Sequence, residues 1–164
     1  MQFRFLMGAL AGLWLSACGQ YDLTVNDRTV YTPLPLFKAY AIPDTALEAC
    51  VKKAINYYKV ANAVELQELD CSDAGVSELT GIGVFTGLRR LRLGDNQITS
   101  LAPLATLSSL EALEAPNNQV KEALPLYDLL SLRIVDLRGN SGLHCPRPQD
   151  LFRVVDLSLP QHCD

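Results

Sequence analysis

Residues 88–96 read Leu-Arg-Arg-Leu-Arg-Leu-Gly-Asp-Asn, and the arrangement returns as Leu-Glu-Ala-Leu-Glu-Ala-Pro-Asn-Asn at 110–118 and Leu-Arg-Ile-Val-Asp-Leu-Arg-Gly-Asn at 132–140. Aligned on that 22-residue period, Leu66, Leu88, Leu110, Leu132 and Val154 share one column. Leu69, Leu91, Leu113, Val135 and Leu157 stand three residues on, and Cys71, Leu93, Ala115, Leu137 and Leu159 five residues on. Eight residues on come Ala74, Asn96, Asn118, Asn140 and His162, and aliphatic columns continue through Val76, Leu79, Ile82 and Phe85 and their counterparts. A unit of this length cannot bury its apolar face alone, so the period reads as coils stacked on one another, each burying its neighbour's core.

The pattern Leu-x-x-Leu-x-Leu-x-x-Asn with a leucine-rich tail resembles the leucine-rich repeat, in the 22-residue form of the internalins and related bacterial proteins, over about residues 66–160. The resemblance implies an α/β solenoid with a short parallel sheet on its concave face. It also implies a buried Asn ladder that satisfies backbone groups at the bend after each strand. Ala74 interrupts that ladder in the first coil, so its bend needs another partner or water. Pro103 and Pro125 share a column suited to the start of short turns on the convex side.

Solenoid ends expose core and need caps. In front of the stack, Asp44 is a good N-cap for a helix to about Tyr58 that sets Leu47, Cys50, Val51, Ala54, Ile55 and Tyr58 on one face and Glu48, Lys52, Lys53 and Asn56 toward water. Cys50 then points at the first coil, where Cys71 takes an inward column, and a bond between them pins cap to stack. Behind the stack, Leu143, His144, Cys145, Pro146 and Pro148 replace the usual convex residues before a last strand at 154–159. Cys145 takes the inward column of Leu79 and Leu101, and a bond to Cys163 closes the final loop over the open end.

The N-terminus sets the compartment. Phe5 to Leu15 is an uncharged, mostly apolar run behind a single Arg4, long enough for a secretory signal and too short to span a bilayer. Leu15, Ser16, Ala17 and Cys18 resemble a lipobox, which implies cleavage before Cys18 and acylation of that residue. Gly19 follows, without the Asp of the inner-membrane retention signal, so by resemblance the destination is the outer membrane if the cell is Gram-negative, on its periplasmic or outer side. The chain thus divides into a signal peptide (1–17), an acylated N-terminus and partly docked tether (18–42), a helical cap (43–65), and repeats with a C-terminal cap (66–164). In the tether, Asn26 and Asp27 sit between Leu23, Val25, Val30 and Tyr31, as at a hairpin turn.

Loss of residues 1–17 leaves 147 residues, one domain's worth, with 13 basic and 18 acidic side chains and a formal charge of -5. That balance argues against nucleic acid as a partner. In an exported, oxidising setting the four cysteines beyond Cys18 are expected as disulfides, and the pairs His144–Cys145 and His162–Cys163 match no zinc spacing. Neither a cofactor nor a metal is expected, and no Gly-rich phosphate loop, paired-carboxylate site or hydrolase elbow stands out, so the chain reads as a non-enzyme and a monomer.

The remaining candidates are outward strand positions. One column reads Asp70, Arg92, Glu114, Asp136 and Ser158, flanked by Glu68, Arg90, Ala112, Ile134 and Asp156 and by Ser72, Gly94, Pro116, Arg138 and Pro160. At about 4.8 Å per strand, Arg92 reaches both Asp70 and Glu114, and Arg90 reaches Glu68. One reading is an internally neutralised ladder. The other is a recognition surface with Arg90, Arg92, Glu114, Ile134, Asp136 and Arg138 as contact residues and Ala112, Pro116 and Ile134 as its apolar centre. Two functions follow: an anchored lipoprotein presenting a small repeat domain to an envelope or external protein, or a structural subunit of an envelope assembly that docks mainly through its tether. Host adhesion is suggested by the internalin resemblance through fold alone, and four or five coils are few for it.

Overall fold

A computed structural model of the chain describes residues 23–25, 28–31, 35–147 and 149–163. The signal segment, Cys18, and the turn residues Asn26 and Asp27 lie outside the described residues. Two compact units divide between Leu34 and Pro35. In the first, β1 (Leu23–Val25) pairs antiparallel with β2 (Arg28–Tyr31).

The second unit opens on residues 35–42, the C-terminal part of the expected tether, which pack on the core through half-buried Leu36, Phe37 and Tyr40 and buried Ile42. The Phe37 and Tyr40 rings stand 5.9 and 5.5 Å from the buried ring of Phe85, and the Phe37 amide donates to the carbonyl of Val60. Next comes α1 (Thr45–Tyr58), which buries Leu47, Val51 and Ile55 and half-buries Cys50 and Ala54. Tyr58, expected on that face, is 54% exposed, because the helix ends there: Lys59 takes a left-handed conformation and turns the chain away.

Five three-residue strands follow as one parallel sheet in sequence order: β3 (Glu68–Asp70), β4 (Arg90–Arg92), β5 (Ala112–Glu114), β6 (Ile134–Asp136) and β7 (Asp156–Ser158). Each partner lies 22 residues on, Leu69 against Leu91 and so through to Val135 against Leu157. The central strand residue points inward, and Leu69, Leu91, Leu113 and Val135 are buried. Single 3-10 turns at Ile82–Val84, Ala102–Thr106 and Leu124–Leu126 build the opposite side, with Pro103 and Pro125 in the first residues of the latter two.

The Asn column is fully buried or nearly so, and its bonding explains the gap at Ala74. Asn118 Oδ1 accepts from the Ile98 amide of the coil before it, while its Nδ2 donates to Leu93, Ala115 and Pro116 carbonyls. Asn140 repeats the arrangement on Val120, and Asn96 does so on Ala74 and Val76. Each amide therefore serves the preceding coil. The first bend is satisfied by Asn96, and an Asn at position 74 would have no earlier coil to serve. At the other end His162 stands in the same column, with Nε2 2.9 Å from the Leu143 carbonyl of the coil before it.

Two expectations about the C-terminal cap need correcting. Cys145 is bonded to Cys163 but is exposed, although Leu79, Leu101 and Ala123 in its column are buried. Those three are covered by a following coil, and among the described residues none lies beyond Cys145. Nor does the bond cover the strand side of the core. Leu157 is 36% exposed, where its four column partners are at 3% or less.

Candidate functional site

The concave face is set by the alternation within each three-residue strand, which turns the two residues flanking each buried leucine or valine outward. Exact register then stacks like columns side by side, so the face is a grid of five strands. The bend after each strand needs a left-handed residue, supplied by Asp73, Asp95, Asn117 and Gly139 at φ 51°, 57°, 55° and 73°. These residue types tolerate that conformation, and they form a further column of the same 22-residue period. A side chain at Gly139 would collide with Asn117, whose own amide reaches Asp95 Oδ1 at 2.9 Å.

On this grid Arg90 Nη1 meets Glu68, while Arg92 meets Glu114 at 3.2 Å and Asp70 at 3.8 Å. The N-terminal half is thereby neutralised by pairs whose side chains are each about half exposed, the kind that contributes little to stability. A flanking column adds Arg89 to Glu111 at 2.6 Å, a pair the strand columns alone did not indicate. The C-terminal half differs. Arg138, two residues past β6, folds back on Asp136 through Nε at 2.9 Å and Nη2 at 2.6 Å, which holds the Asp136 carboxyl below the usual carboxylate range. Asp156 joins none of the ion pairs among the described residues.

The apolar centre is smaller than expected. Ile134 is 42% exposed and Pro116 half-buried, but Ala112 is 5% exposed, its methyl too short to rise above its neighbours. Of the six expected contact residues, Arg90, Arg92, Ile134 and Arg138 are exposed, Glu114 is partly exposed and the Asp136 side chain is only 15% exposed, all on one face. Five strands span about 24 Å and their outward residues about 12 Å, so the strands alone offer of order 300 Å² against roughly 800 Å² per partner in a stable complex. The rim at Asp95 and Asn117, both exposed, is the nearest surface that enlarges it.

Elsewhere, Cys145, Cys163 and His162 bring ligand atoms within 4.8 Å of one another. Both sulfurs are spent in the disulfide, which removes them as metal donors while the bond lasts. Cys50 and Cys71 are likewise bonded, with Cα atoms 5.8 Å apart, tying α1 to the end of β3. Asp44 does the same by hydrogen bonds. Its Oδ1 accepts from the amides of Ala46 and Leu47 in α1, and its Oδ2 from the amides of Ser77 and Glu78 and the Ser77 hydroxyl in the first coil. Partial burial alone would raise its pKa, but those donors outweigh burial and lower it to about 2.

No protein-family model matches the chain, and no curated protein matches it. Solved structures do. An internalin (inlF) of Listeria monocytogenes is 24% identical with a TM-score of 0.61 over 73% of this chain. Internalin C2 of the same organism is 30% identical over 51% of the chain, at a TM-score of 0.48. The chain covers 36% and 37% of those two proteins, just over a third of each. The first of these likenesses, with the five-stranded parallel sheet and the 22-residue register, makes this a leucine-rich repeat protein in fold.

Proposed function

We propose that this leucine-rich repeat chain is a membrane-anchored lipoprotein of the bacterial envelope, acylated at Cys18 and held at the outer membrane, whose small solenoid binds a protein partner through its concave face. The observation that carries the recognition half is the asymmetry of that face. Charges on β3, β4 and β5 are paired across strands, whereas Asp136 at the end of β6 is paired with Arg138 two residues on, which leaves an exposed Ile134 and, on β7, an Asp156 outside the ion pairs among the described residues. An apolar anchor ringed by charge is the usual make-up of an interface centre. A parallel sheet with a polar rim is rigid, so little ordering cost falls on binding.

The two halves of the proposal have separate tests. Replacing Cys18 by Ser should release the protein from the membrane fraction or mislocalise it, since several acyl chains anchor far more firmly than one. A Cys18→Ser protein that is still cut before residue 18 and still membrane-bound contradicts the anchor. Double replacement of Ile134 and Arg92 by Ala should abolish capture of the partner by cross-linking in cells, with folding changed by less than about 0.5 kcal/mol because both side chains face water. Unchanged capture, with loss instead on shortening residues 19–34, would transfer the contact to the tether.

A further inference from the structure

The end of α1 carries a surface that neither the concave face nor the caps use. Between Val51 and Val64 the sequence contains Lys52, Lys53 and Lys59 and no acidic residue. All three lysines are exposed, together with Asn56, Tyr57 and Tyr58. Tyr57 is 78% and Tyr58 54% exposed, their rings edge to face with centroids 4.9 Å apart. Lys53 and Tyr57 are four residues apart and lie on the same stripe of the helix. The carboxylates that flank this stretch in sequence are otherwise placed. Glu48 joins none of the ion pairs among the described residues, and Glu65 is turned onto the Ala61 amide and the Asn62 side chain.

Charge is distributed accordingly. Residues 35–65 hold four basic and three acidic side chains, a balance of +1, whereas residues 66–164 hold eight basic and thirteen acidic, a balance of -5. The domain is thus a negative body with one cationic, aromatic end.

We propose that this end of α1 is a contact surface for a bilayer of anionic phospholipid. Tyrosine places an apolar ring among acyl chains and its hydroxyl at the headgroups, and lysine stems extend an ammonium to the phosphates. An exposed stripe at the end of a helix suits a flat lipid surface better than an inserted peptide. The proposal rests on the anchored-lipoprotein reading for its cellular setting and on the patch alone for its affinity. From Cys18 to Pro35, where the packed unit begins, the chain could span at most roughly 60 Å, so the anchor by itself does not hold the domain against the membrane. A weak second contact does, because the tether supplies it at high effective concentration. It would fix the N-terminal cap at the bilayer while leaving the concave face open.

The test uses residues 18–164 with Cys18→Ser, so that no acyl chain contributes, sedimented with vesicles of phosphatidylglycerol and phosphatidylethanolamine or of phosphatidylcholine alone. Binding is expected to the anionic vesicles only and to fall steeply with added salt. Each lysine near such a surface contributes about five-fold in affinity, so Lys52→Gln with Lys53→Gln should lose about 25-fold. Tyr57→Ser with Tyr58→Ser should weaken binding at low and high salt alike, and unchanged thermal melts of both variants establish that they fold. Equal binding to both vesicle types, no binding to either, or full binding by the lysine variant overturns the proposal. So does loss of a cross-linked protein by the variants without loss of lipid. The outcome is independent of whether Cys18 is acylated, which the membrane-fraction test decides.

Discussion

Replacing Asn118 by Ala should cost about 2–4 kcal/mol of stability, and the structure says where that figure comes from. Asn118 is buried, at 6% exposure, and supplies the hydrogen bond from the Ile98 amide to a side chain. That amide lies in a wholly buried residue and is left without its acceptor, at about 1–3 kcal/mol. The carbonyls suffer less. Leu93 O also receives Asn96 Nδ2 at 2.9 Å, and Ala115 O also receives Asn140 Nδ2 at 3.0 Å, so losing the Asn118 donor adds only about 1 kcal/mol. Asn118→Asp should do at least as much harm, because it keeps the acceptor but turns a carboxylate oxygen toward three carbonyls. Ala74→Asn should leave stability within about 0.5 kcal/mol, since the amide at that position has no preceding coil to bind. Urea unfolding followed by circular dichroism measures all three. A cost for Asn118→Ala below about 1 kcal/mol, or a clear gain from Ala74→Asn, refutes the coil-to-preceding-coil account of the ladder.

Asp44→Ala should destabilise by about 2 kcal/mol or more, as it removes an N-cap and also frees the amides of Ser77 and Glu78. Because the folded carboxyl is depressed to about 2 from an ordinary 3.8, its contribution is complete above about pH 4 and is lost as pH falls toward 2. The stability difference between wild type and Asp44→Ala, measured by thermal melts from pH 6 down to pH 2, should therefore shrink only at the acid end. Reduction of Cys50–Cys71, which closes 21 residues, should cost about 2–4 kcal/mol and loosen α1 from the first coil, read by amide exchange of Leu47, Val51 and Ile55. Peptide mapping without reduction should recover Cys50 with Cys71 and Cys145 with Cys163, and free thiols at all four remove that account.

The repeat register was legible because a 22-residue period ties every strand to its neighbour, so one correct column fixes Leu69 against Leu91 and all that follows. Asp44 was legible as a cap of α1 but not as a link to Ser77 and Glu78, since that contact spans 33 residues of chain and follows no period. The charged pairs of the face followed from strand spacing, as with Arg92 between Asp70 and Glu114. Arg138 did not, because a guanidinium can reach Asp136 two residues back as readily as a partner on the next strand. Ala112 and Cys145 were misjudged for one reason: a column gives direction, while exposure depends on how far neighbouring side chains and the next coil reach.

The central claim is that the concave face meets a protein, and photo-cross-linking from that face tests it most directly. A benzophenone amino acid placed at Ile134 should yield a discrete cross-linked partner in cells, and the same group at exposed Ala105 in the turn opposite the sheet should yield none. Cross-links of equal yield to the same protein from both positions, or from Ala105 alone, would contradict the account.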